Sequence, residues 1–158
     1  MAFNQAVLSE AQKTLSGEVI KVSPHNTSAF DVFEDGLVEG RFCKFDAGSI
    51  DNLDASATPT IAGVAKRKVT GEIGTGIYST TGQEYDSVAE VVNFGFVTVD
   101  VTAAAVPTKY AQVYAHNVAD AEAGAATQDA TGTVAVPDCV FWEPKADGVW
   151  LVRIGKFL

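Results

Sequence analysis

The stretch Val97-Thr98-Val99-Asp100-Val101-Thr102 decides the reading of the fold. Valines hold the odd positions; Thr98, Asp100 and Thr102 hold the even ones. Successive side chains of a strand point to opposite faces, so this period of two predicts a strand with one buried and one wet face. Extended upstream, Val88 to Thr102 reads as the longest strand of the chain. Gly95, between Phe94 and Phe96, reads as a bulge or bend within it.

The same grammar continues in both directions. Glu18–Val22 reads as a short strand ended by Ser23-Pro24. Gly36 and Gly40 bracket Leu37-Val38-Glu39, and Arg41–Phe45 continues with Phe42 and Lys44 on one face against Cys43 and Phe45 on the other. Residues 46–59 form a polar, turn-rich loop without a strong period. Thr60–Ala65 is a compact apolar run, a buried strand whose Gly63 marks the close approach of another backbone. Gly71, Gly74, Gly76 and Gly82 mark a loop or a strand broken by turns.

After Pro107, Ala111–His116 is the next strand. Ala119–Gly132 reads as a surface loop, since Gly124 would cost a helix about 1 kcal/mol. Thr133–Val136 and Cys139–Trp142 read as two short strands split by Pro137-Asp138. Asp147-Gly148 is the turn of a hairpin joining Phe141–Glu143 to Val149–Ile154, with a somewhat longer loop. About nine short strands with regular turns predict an all-β protein, an antiparallel β-sandwich or jelly-roll-like barrel. Residues 1–14 form an N-terminal arm or short helix, and 15–158 a single β-rich domain.

Composition narrows the function. The 158 residues suffice for one domain burying roughly 70% of the surface of its unfolded chain, without metal or disulfide staples. Net charge is −9, from 20 acidic and 11 basic groups. Such a chain repels phosphate backbones, so nucleic acid is not an expected partner. The N-terminus lacks the charged and apolar regions of a signal peptide. No apolar run approaches the ~20 residues of a membrane helix, so no membrane partner is expected. Cys43 and Cys139 belong to no CxxC pair and read as buried, hydrophobe-like residues.

No motif carries catalytic chemistry. Gly71-Glu-Ile-Gly74-Thr-Gly76 has neither the spacing nor the following helix of a phosphate loop. Asp46, Asp51 and Asp54 share a loop but lack EF-hand spacing, and a solvated loop is the simpler reading. His25 and His116 have no partner at a zinc spacing. No cofactor is expected. Lys66-Arg67-Lys68 is the one basic run, either a solvated strand end or a contact for an acidic protein partner. Phe3 and Val7 are apolar residues on the arm, suited to anchoring it on a neighbouring subunit.

Gly36-Leu-Val-Glu-Gly40-Arg-Phe-Cys-Lys-Phe-Asp46, Thr60-Ile-Ala-Gly-Val-Ala65, Gly95–Thr102, Ala111-Gln-Val-Tyr114 and Trp150-Leu-Val-Arg-Ile154 follow one another in an order that resembles the capsid cement, or head decoration, proteins of tailed bacteriophages. The resemblance spans about residue 15 to the end and is one of strands and glycines. It implies a protein made in the host cytoplasm and carried on the exterior of the virion capsid. It further implies binding to the major capsid protein and self-association as a homodimer or homotrimer. None of the family's contact residues maps onto a position here. Two other classes stay open: a carbohydrate-binding or adhesin module of a tail or fibre, which would expose Trp142 and Trp150, and a small β-rich hydrolase, which would need a metal or phosphate site.

Overall fold

The computed structural model describes residues 16–17, 19, 24–32, 37–66, 88–104 and 106–155. Nine strands occur among them: β1 (Asn26–Asp31), β2 (Phe42–Asp46), β3 (Ser49–Asn52), β4 (Ile61–Ala65), β5 (Val88–Asp100), β6 (Gln112–His116), β7 (Ala126–Thr127), β8 (Thr133–Ala146) and β9 (Val149–Ile154). They form one sheet in the order β3-β2-β4-β5-β9-β8-β6-β7, with β1 added on β5. Every named pairing is antiparallel. Isolated parallel bridges Val32↔Ile50 and Val101↔Ala126 tie the two ends of this path back towards its middle. The sheet is therefore curled into a half-barrel, and the all-β, antiparallel expectation holds. The arm at 1–14 and the glycine-rich segment at 71–82 lie outside the described residues.

β5 belongs to both halves of the sheet. Residues up to Phe94 pair with β1, and Val91 and Val92 pair with β4; from Gly95 onward the partner is β9. Gly95 sits at the changeover with φ +111°, and a Cβ there would lie 2.7 Å from His25 Cβ and 2.8 Å from the Pro24 carbonyl oxygen. The bend expected at this residue is where β5 changes partners. The close approach expected at Gly63 is also present: a Cβ would meet the Val92 carbonyl oxygen at 2.3 Å.

Two apolar cores flank the middle of the sheet. Phe42, Val64 and Val92 join Val97, Phe141 and Val152 in one core. Their sequence neighbours Cys43, Ala65 and Val91 join Leu37 and Ile50 in the other. Because adjacent strand residues face opposite ways, β2, β4 and the first half of β5 are covered on both sides. That is why Thr60–Ala65 reads as a continuous apolar run without alternation.

Four expectations need correction. First, the 46–59 segment is not wholly loop, because β3 pairs with β2 through a two-residue turn. Ala47 (φ 47°) and Gly48 (φ 94°) both take left-handed backbone there, as a type I′ turn requires. Alanine at the first position hides a turn that asparagine or aspartate would have announced. Second, β1 was not foreseen: its Asn-Thr-Ser-Ala-Phe-Asp sequence is half-buried at most and has no apolar alternation. Third, Pro137-Asp138 does not split β8. The ladder with β6 skips residues 136–139, Asp138 takes φ 51°, and the strand resumes. Proline is tolerated at such a bulge because it has no ladder hydrogen bond to lose there. The Gln112 side-chain Nε2 donates to the Val136 carbonyl at 2.7 Å, closing the interruption. The strand then reaches Ala146, opposite Val149, so the Asp147-Gly148 loop is two residues long and tighter than expected. Fourth, the polar face of the 97–102 stretch is not wet. Thr98 and Thr102 are buried, and Arg41 spans from Asp100 (3.3 Å) to the carbonyls of Ala121 and Ala123. The 119–132 segment crosses this side of the sheet, with Gly124–Thr127 buried and β7 paired to β6.

Of the strand expected at Glu18–Val22, only Val19 is described, and it bridges Val97 antiparallel. Substituting Gly63→Ala is expected to cost about 3 kcal/mol, from strained backbone plus overpacking. Gly148→Ala also places alanine at positive φ, but with nothing within 4 Å of its Cβ, and is expected to cost about 1 kcal/mol. Chemical denaturation of both variants reads this difference.

Candidate interaction surface

The polar clusters of the sequence resolve into internal contacts. The Lys44 side chain is buried, and its ammonium donates to Asp54 at 2.8 Å and to Ser56 at 3.3 Å, with Asp46 at 3.7 Å. Burial pulls the lysine pKa down, but the Asp54 hydrogen bond and the charges of Asp54, Asp51 and Asp46 outweigh it and hold it above the ordinary value. The hydrogen bond from Lys44, with another from Ser56, depresses Asp54 to about 2. Asp51 accepts from the Asn52 amide at 2.7 Å. A lysine therefore occupies the space among these carboxylates, and among the described residues no group of His, Cys, Asp or Glu is arranged to hold a metal ion.

The histidines and cysteines are likewise engaged. His116 Nε2 lies 3.0 Å from Asp120, four residues on. His25 packs over Gly95. Cys43 and Cys139 are free and buried, as expected. Burial pushes the Cys43 thiol up to about 12 and raises Cys139 as well, so both stay protonated and serve packing.

Of the five residues singled out for partner contacts, only Lys66 is described. Its ammonium pairs with Glu90 and its amide donates to the Glu90 carbonyl at 2.8 Å, at the β4–β5 edge. Phe3, Val7, Arg67 and Lys68 lie outside the described residues.

A cluster that sequence reading missed lies on the face of β5, β9 and β8 opposite the core. Val97, Val152 and Phe141 point inward from these strands. Their neighbours Phe96, Arg153 and Trp142 point the other way, and Phe96 and Arg153 are directly paired. Trp142 receives Phe96 edge-on at 5.2 Å between ring centroids and Tyr110 edge-on at 5.4 Å. The Lys109 ammonium lies over both the Tyr110 and Trp142 rings, at 5.1 and 5.6 Å, and the Arg153 guanidinium over Trp142 at 5.8 Å. Tyr110 is 60% exposed. Its turn is tied to β8 by hydrogen bonds from the Tyr110 amide to the Phe141 carbonyl (2.7 Å) and from the Phe141 amide to the Ala111 carbonyl (3.0 Å). No sequence pattern announces this cluster, because four separate segments supply it.

Trp150 packs edge-on against Phe141 at 5.6 Å and lines a groove of about 200 Å³ with Val101, Val106, Pro107 and Ala146. Both tryptophans are half-buried with their rings in contact with neighbours. They do not form the exposed pair that a carbohydrate-binding module would present.

The described residues thus form a β scaffold with an aromatic and cationic cluster fixed on its outer face. The comparisons give the class of protein. The family model for the XM1 gp53 minor capsid protein matches residues 3–156, and the chain belongs to that family. A solved structure described as "The capsid of Myoviridae Phage XM1" contains a chain 69% identical to this one, with each covered over 100% of its length and a TM-score of 0.80. None of the curated proteins matches. The chain is therefore a structural capsid protein of a phage virion, and the resemblance to phage capsid accessory proteins holds.

The Lys44–Asp54 contact makes stability pH-dependent. Asp54 titrates lower in the folded protein than its ordinary value of 3.8, so the contact's stabilisation is complete above pH about 4 and lost as pH falls through about 2. Denaturation midpoints measured across this window should fall less steeply for Asp54→Asn than for the parent protein.

Proposed function

We propose that this protein binds the outside of the phage head and stabilises the shell by bridging neighbouring major capsid protein subunits. The supporting observation is its membership, over nearly the whole chain, of a minor capsid protein family. A protein that binds the assembled shell but not its separated subunits shifts the equilibrium towards the shell by mass action. No catalysis is needed for that. Acting as a homodimer or homotrimer, it would engage several subunits at once, and linked contacts raise avidity by roughly 10²–10⁴. In this reading Phe3 and Val7 anchor the arm on a neighbouring subunit. Lys66, Arg67 and Lys68 meet an acidic strip of the partner, Lys66 by exchanging its Glu90 contact.

Co-sedimentation with heads that lack the protein tests the proposal. The expected result is saturable binding at a fixed ratio per capsid subunit and a higher disruption temperature of the decorated heads. Absence of binding to intact heads overturns it.

A further inference from the structure

We propose that Lys109, Tyr110, Trp142 and Arg153 form the docking surface for a carboxylate-bearing segment of the capsid shell. The inference rests on the capsid-binding reading above and adds a further face of the protein that makes contact and what chemistry it recognises.

The first argument is how the cations are used. Six lysines and arginines lie among the described residues. Arg41, Lys44, Lys66 and Lys145 each hold a carboxylate, on Asp100, Asp54, Glu90 and Glu143 respectively. The other two, Lys109 and Arg153, have no hydrogen bond or ion pair to a described residue, and both lie over Trp142. Cations are scarce in this chain, with 11 basic against 20 acidic groups. Two of them at one ring without an ion pair to a described carboxylate concentrate positive charge there.

The second argument is the Arg153 Nε, which is buried and has no hydrogen-bond partner. A donor withdrawn from water without an acceptor is destabilising. Arg153 as a whole is half-buried, and a carboxylate meeting the guanidinium with charge-assisted hydrogen bonds would draw the side chain outward and relieve that cost. The third is Tyr110. Its backbone has φ 68°, unusual for a residue other than glycine, and hydrogen bonds to β8 hold it there while the ring stays exposed. Such strain persists where surrounding structure enforces it, and it clusters at functional positions.

The composition also fits. Tryptophan, tyrosine and arginine are the residues that dominate binding energy at protein interfaces. Here they stand on strands and a tethered turn, so little side-chain freedom remains to be lost on binding. At the rim, Lys145 pairs with Glu143, and the Lys109 charge also acts on Glu143. Among the described residues the patch thus carries three cations against one anion, which favours a partner segment bearing carboxylates. A nucleic-acid backbone is disfavoured by the net charge of −9. A second copy of this chain is an alternative acidic partner, and the test separates it.

The experiment uses purified full-length protein and heads that lack it, with binding measured by co-sedimentation over a range of salt. The variants are Lys109→Glu, Arg153→Lys and Tyr110→Ala; melting curves report on folding. Lys109 and Tyr110 are exposed, so their variants are expected to melt like the parent. The expected result is parental binding that weakens with salt. Lys109→Glu and Tyr110→Ala should each lose at least about tenfold in affinity, and Arg153→Lys less. If parental protein binds heads and the folded Lys109 and Tyr110 variants bind equally well, the docking surface is overturned while the capsid reading stands. If those variants lose self-association and keep head binding, the occupant is a second copy and the proposal fails. If the parent does not bind heads at all, the capsid reading falls and this inference falls with it.

Discussion

β5 passes from one half of the sheet to the other at Gly95, and the arrangement of the described residues hangs on that crossing. Upstream of it the strand is held by β1 and β4; downstream it is held by β9. Pro24 and His25 press on the crossing so closely that no side chain fits there. A strand gripped by different neighbours along its length cannot slip in register in one half without breaking the other. Register in turn decides which face each side chain occupies. The pairing of Phe96 with Arg153, and so the outward cluster around Trp142, follows from this single register.

The second constraint is a middle layer with apolar residues on both faces. Phe42 and Cys43, Val64 and Ala65, and Val91 and Val92 divide between the two cores. Little room is left for polar groups there, and those present are satisfied internally. Lys44 is surrounded by Asp54, Asp46 and Ser56; Arg41 reaches Asp100 and two carbonyls of the 119–125 segment. Cations that serve the fold are thus enclosed by partners from the fold. Lys109 and Arg153, over an aromatic ring on the outer face, are not, and that contrast separates residues that hold the protein together from residues available to something else.

A minor capsid protein has reason to be built in this way. In the proposed role its binding surface would meet a shell that is already assembled, where rigidity would lower the entropic cost of attachment. Strands present side chains in fixed directions, and the backbone hydrogen bonds from the 108–111 turn to β8 extend that stiffness to Tyr110. The family membership and the close relation to a chain in the phage XM1 capsid are consistent with such economy of means.

Local pattern was enough for much of the fold. The valines of 97–99, the apolar run at 60–65 with its crowded glycine, the bend at Gly95, the hairpin at Asp147-Gly148 and the two buried cysteines were all legible, because each depends on near neighbours in the chain. β3 was concealed by an alanine in a turn that usually advertises itself. β1 escaped notice because a half-buried strand carries little apolar signal, and β8 seemed broken because a bulge absorbed its proline. Thr98 and Thr102 looked solvent-facing because the segments that cover their face are distant in sequence. The interaction cluster was illegible for the same reason: Phe96, Lys109–Tyr110, Trp142 and Arg153 come from four segments, and only the pairing of β5, β9 and β8 brings them to one face. By itself the sequence determined an acidic, all-β chain of alternating strands, since periodicity and charge are local properties. Tertiary structure alone decided which cations are enclosed and which are offered, because that depends on what long-range pairing places beside each charge.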